Sequence, residues 1–163
     1  MQHLLKNPIF DQMMNWIILS IWGLSAFLGP QEQQQTLPTA GVPAVFRLTH
    51  SDSFSNALTS AHPATLLRTF DNSTQDAFLF WRSFSLMVQA SVQEDQIDGQ
   101  CSQVWIKAYW DKSGKLVHIG YDAEINREQN LAWNKLFNHM IAESKASGTW
   151  PNGFYHFGCI KLP

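Results

Sequence analysis

At 163 residues the chain has room for one domain and an appendage. A hydrophobic fraction of 45% that includes seven tryptophans is ample for a buried core. The formal charge of −2 at pH 7 excludes the basic footprint of a nucleic-acid-binding domain, so no nucleic acid is expected as a partner.

Residues 1–30 are dominated by Met13 to Leu28 (MMNWIILSIWGLSAFL), a nearly unbroken apolar run without formal charge. About 20 residues are needed to cross the hydrocarbon core of a bilayer, and the run reaches that length if Gln12 and Gly29 to Gln31 sit at the interfaces. Three readings are open: a retained membrane anchor, a cleaved signal peptide, and a helix buried in the globule. Lys6 ahead of the run and the small residues Ser25 and Ala26 suit a signal peptide, but Asp11 directly precedes the run and no A-x-A pattern follows. A buried helix would need apolar partners all round. Length and flanks favour the anchor. Lys6 and the amino terminus are the positive groups ahead of the span and the first one after it is Arg47, a distribution that favours a single pass with the amino terminus inside.

Residues 31–50 read as a tether, since Gly29 to Pro43 (GPQEQQQTLPTAGVP) is rich in Gln, Pro and Gly and has no apolar period. Such a segment of about 15 residues reaches roughly 50 Å when fully extended, which keeps the domain near the membrane. A short strand fits Ala44 to Leu48. Over 51–72 the pattern is irregular, with a short helix at Ser53 to Ser60 begun by Ser51 or Asp52 and broken at His62-Pro63.

From residue 73 to 163 the signals are stronger. Ser73 with Asp76 three later starts a helix whose stripe is Ala77, Phe80, Trp81, Phe84, Met87 and Val88. An acidic loop, Glu94 to Gln100, leads into a strand at Gln103 to Trp110. There Val104, Ile106, Ala108 and Trp110 alternate with Trp105, Lys107 and Tyr109. Asp111-Lys112-Ser113-Gly114 supplies the turn and Leu116 to Tyr121 the returning strand. Asn126 and Gln129 form a capping-box pair for a helix carrying Trp133, Leu136, Phe137, Met140 and Ile141, ended by Gly148 and Pro151. Phe154 to Leu162 is the last strand. The predicted fold class is α+β: a two-layer sandwich of a three-stranded antiparallel sheet and two helices on one face, preceded by an N-terminal transmembrane helix.

Chemistry is sparse. None of the six histidines forms H-x-x-x-H or H-E-x-x-H, and no C-x-x-C, Walker loop, G-x-S-x-G or dinucleotide fingerprint is present, so no cofactor or metal is expected. His156 and Cys159 are three apart on a strand, which places them on opposite faces and argues against a thiol–imidazole dyad. Cys101 and Cys159 form one candidate disulfide in an oxidising compartment; two buried thiols are the equal alternative.

Aromatic residues crowd the hairpin and the last strand. Many must fill the core, but alternation sends Trp105 and Trp110 to opposite sides, so one set is free to form an exposed surface. Trp105, Tyr109, Tyr121 and Tyr155 are the candidate binding residues. Beside an open sheet edge they suit another protein, bound by edge-strand pairing. A cell-wall glycan stacked on the same rings is a second reading, and a small exported enzyme using His118 or His156 a third.

The hairpin Val104 to Ile119 (VWIKAYWDKSGKLVHI), with its strand-D-x-x-G-x-strand form, resembles the first hairpin of the TonB and TolA C-terminal domains of Gram-negative envelopes. The following helix, Trp150-Pro151 and the last strand continue that resemblance over about 90 residues, and Cys101 is similar in position to a cysteine of the TolA-type domain. The resemblance implies a protein-binding domain held near the inner membrane: a single-pass inner-membrane protein whose C-terminal domain is periplasmic and whose partner is another envelope protein. The apolar run has Asn15, Ser20 and Ser25 where energy transducers carry a Ser and His pair, so coupling to a proton gradient is not implied.

Overall fold

The computed structural model describes residues 41–50, 52–95, 97 and 102–162. The apolar run 13–28, with the anchor or signal segment expected there, residues 31–40 of the tether, and Cys101 lie outside them. Among the described residues no helix is long and apolar enough to cross a membrane.

In chain order the elements are β1 (Val45–Arg47), a 3₁₀ turn (Leu48–His50), α1 (Asp52–Ala61), β2 (Ala64–Thr65), α2 (Leu66–Thr69) and α3 (Thr74–Glu94). They are followed by β3 (Gln103–Trp110), β4 (Leu116–Asp122), α4 (Arg127–Glu143) and β5 (Phe154–Lys161). Local chemistry sets the longer ones. Ser73 caps α3 by accepting from the Asp76 N–H at 3.3 Å. Asn126 and Gln129 bond reciprocally at 2.9 Å each, closing the capping box of α4. In the hairpin turn Asp111 Oδ1 accepts from the Ser113 and Lys115 N–H groups at 2.8 and 3.0 Å. Gly114 takes φ +72°.

The expected architecture is corrected in three respects. The sheet has five strands in the order β1-β4-β3-β5-β2, not three. It is mixed: β3 runs antiparallel to β4 and β5, while β1 and β2 add parallel at the two edges. Helices cover both faces, and no transmembrane helix precedes the sheet among the described residues. Strands of three and two residues show no alternation long enough to read, and their parallel placement depends on the sheet they join.

One face, the inner, carries Val104, Ile106, Ala108 and Trp110, packed with Phe84, Val88 and Val92 of α3 and Trp133, Leu136 and Phe137 of α4. The other face, the outer, receives α1, whose Leu58 is buried with Phe46 and Tyr109. Arg47 fastens β1 from its end: its guanidinium lies 3.2 Å from Asp122 Oδ1, donates to Ala123 O at 2.9 Å and sits 5.3 Å above the Tyr121 ring.

Candidate functional site

The two edges of the hairpin sheet are finished unequally. β1 runs along Ile119 to Tyr121 of β4. β2 pairs only with Phe154 and Tyr155, so from Phe157 onward no strand among the described residues lies beside β5 on the side away from β3. At its far end Lys161 O accepts from Gln89 Nε2 at 2.7 Å. The free stretch is therefore Phe157 to Ile160.

Period-2 alternation puts Tyr155, Phe157, Cys159 and Lys161 on the outer face, and register sets Phe157 across from Lys107 and Cys159 across from Trp105. α1 covers the end of this face nearest the hairpin turn, and no element among the described residues covers the other end. There the Trp105 and Phe157 rings stack at 5.3 Å with an interplanar angle of 22°. They remain 43% and 50% exposed, high values for paired aromatics beside a free edge. Next to them Lys107 Nζ donates to Ser55 Oγ and Thr59 Oγ1, both at 2.9 Å, and lies 5.0 Å from the centre of the Tyr155 ring. Burial pulls its pKa below the ordinary lysine value. Hydroxyls and rings satisfy this ammonium; among the described residues the one ion pair is Arg47 with Asp122.

Of the four aromatics that the sequence marks as candidates, Trp105 and Tyr155 lie on this face with some exposure. Tyr109 is on the same face but fully buried beneath α1. Tyr121 is on the inner face, fully buried, its hydroxyl donating to Asn130 Oδ1 at 2.7 Å. Phe157 is not among the four, although alternation with Tyr155 places it. What marks it is the cross-strand stacking with Trp105, and that depends on register.

His118 and His156 are on opposite faces. His118 Nδ1 meets Pro43 O at 3.1 Å on the outer face, and the His156 ring packs 4.5 Å from Trp81 of α3 on the inner one. Cys159 Sγ donates to Gln103 Oε1 at 3.6 Å, on the face away from His156. Cys159 is a free thiol, and Cys101, the partner that the sequence suggests for it, lies outside the described residues. No group of three metal-ligating side chains is present among the described residues.

Burial lowers the pKa of His62, His118 and His156 below the ordinary 6.5. The unfolded chain therefore binds more protons than the fold as the pH drops through about 6.5. Stability is complete above that value and declines below it. Urea midpoints measured from pH 7.5 to pH 5 should fall, and His156→Gln should flatten the fall; a midpoint constant over that range rejects the burial of these neutral rings.

A second concave feature lies on the inner side, between α3 and α4. It encloses about 770 Å³ over Trp110, Leu116, Phe84 and Met140, with Leu79 and Met87 exposed at its lip. That volume and lining are those of sites for small apolar ligands. Searches against models of protein families, curated proteins and solved structures find no match to this chain.

Proposed function

We propose that this domain binds another protein of the envelope by taking an extended segment of it as a strand along the free stretch of β5, without itself catalysing a reaction. The observation that carries the reading is the coincidence of an unpaired strand edge with an exposed aromatic stack on the adjoining face. In strand addition, main-chain hydrogen bonds supply affinity, and alternate side chains, which share one face, supply specificity by entering a pocket or resting on a ring. Trp105 and Phe157 offer such a rest, and large aromatics are the side chains on which binding energy concentrates.

Site-specific photo-crosslinking tests the reading. A crosslinker at Gln103 or Lys161 should capture a polypeptide that one at Leu131, exposed on α4, does not. Trp105→Ala with Phe157→Ala should lower the yield at least about thirtyfold, since two such anchors are worth roughly 2 kcal/mol or more. Capture that is indifferent to both rings overturns the proposal. Retention of the chain by insoluble wall glycan, lost in the same double variant and without any captured polypeptide, replaces it with glycan stacking. The groove between α3 and α4 favours a second reading, an apolar small-molecule site. Quenching of tryptophan fluorescence by a brominated fatty acid, abolished by Leu79→Arg with Met87→Arg and not by the Trp105 and Phe157 changes, marks that reading.

A further inference from the structure

We infer that the segment accepted by β5 is acidic, with an aromatic or large aliphatic residue seated on the Trp105–Phe157 stack and a carboxylate four residues along it, opposite Lys161. This rests on the strand-addition reading. β3 and β5 carry two lysines, Lys107 and Lys161, and no acidic residue between them. Both lie on the outer face, in line with the aromatic stack. The carboxylate nearest in register, Asp122 across from Trp105, is engaged by Arg47 at 3.2 Å. The charges that β3 and β5 themselves bring to this part of the face are therefore positive, on either side of an apolar centre.

Spacing defines the rest. A strand added beside β5 lies about 4.8 Å from it and alternates with the same period, so its outer-face residues stand beside Phe157, Cys159 and Lys161 in turn. The residue beside Phe157 meets the stacked rings. The one beside Cys159 has little to hold it. The one beside Lys161 meets an exposed ammonium at the end of a flexible stem, and the field of Lys107 behind Phe157 adds to the attraction for negative charge. Lys107 itself is held by Ser55 and Thr59, so it acts through its charge rather than by reaching out. A basic segment would meet like charge at both lysines, which costs affinity and steers the wrong partner away.

Selection of random twelve-residue displayed peptides on the purified full chain, on Lys161→Glu and on Trp105→Ala with Phe157→Ala tests this. Peptides enriched on the wild type should carry an aromatic or large aliphatic residue and, four positions away, Asp or Glu. Lys161→Glu should weaken those peptides about fivefold, the size of one accessible ion pair of roughly 1 kcal/mol, and shift enrichment at that position to Lys or Arg. Enriched peptides without acidic bias, bound equally by Lys161→Glu, overturn the acidic partner and leave strand addition standing. No enrichment, or enrichment untouched by loss of both rings, overturns strand addition and the acidic partner together.

Discussion

Replacing Phe137 by alanine should lower the free energy of unfolding by about 3–5 kcal/mol. Phe137 is fully buried on α4, with its ring 5.1 Å from that of Tyr121 on the sheet and 5.2 Å from that of Trp133 one turn earlier. Truncation removes the transfer energy of a phenyl group and leaves a void that Trp133, Leu136 and Ile119 cannot close, because they are already fixed in the same cluster. A domain of this size has on the order of 5–15 kcal/mol in total, so the variant should sit near the limit of folding. Phe78, 60% exposed on α3, is the matched control, and its alanine variant should stay within about 0.5 kcal/mol of wild type. Urea titrations of the two variants measure the difference. Equal losses would mean that α4 does not dock through this face.

The next largest effect is expected from Gly114→Val, at roughly 2–5 kcal/mol, since two costs combine. The backbone at φ +72° is left-handed, which costs a side-chain-bearing residue about 1–2 kcal/mol. A Cβ would also run into the Trp150 ring and stand 2.5 Å from Ser147 Oγ, an overpacking worth about 1–3 kcal/mol. That crowding has a function in the fold. The turn that joins β3 and β4 receives the chain leaving α4 through bonds from the Ser147 and Trp150 N–H groups to Ser113 O and Lys112 O, at 3.0 and 2.8 Å. Trp150 then packs against Phe70 and Phe154. Gly41 separates the two costs, because it has φ +100° but no atom within 4 Å of the place a Cβ would occupy. Gly41→Ala should show the backbone penalty alone. A Gly114→Val variant no less stable than Gly41→Ala would show that the segment after α4 is not held by the turn.

These two positions mark what is legible in the order of residues. The stripe that contains Phe137 has helical spacing over more than two turns, and the capping box fixes where the helix begins, so α4 and its buried face follow from local order. Gly114 is legible as a turn residue, while its crowding by Trp150, far along the chain, is not. The same division runs through the candidate site. Trp105 is recognisable because its strand alternates, and Tyr155 likewise. Tyr109 alternates in phase with Trp105 yet is buried, because α1 lands on one end of that face and not the other. Nothing in residues 51–72 announces that landing: Leu58 and Phe54 are too few apolar residues to mark a stripe, and Ser55 and Thr59 contribute by holding Lys107.

By itself, then, the order of residues determined the hairpin, its turn, the caps of α3 and α4, the core-facing stripe of α4 and that of α3 apart from the exposed Met87, and the alternation of the last strand. Each depends on neighbours within a few positions, through side-chain period, cap hydrogen bonds and glycine geometry. Tertiary structure decided the parallel strands at the edges, the helix on the outer face, and the meeting of Trp105 with Phe157 beside an unpaired stretch of β5. Those depend on register and on which element reaches a surface first, and such choices are made between segments dozens of residues apart, where no local pattern carries them.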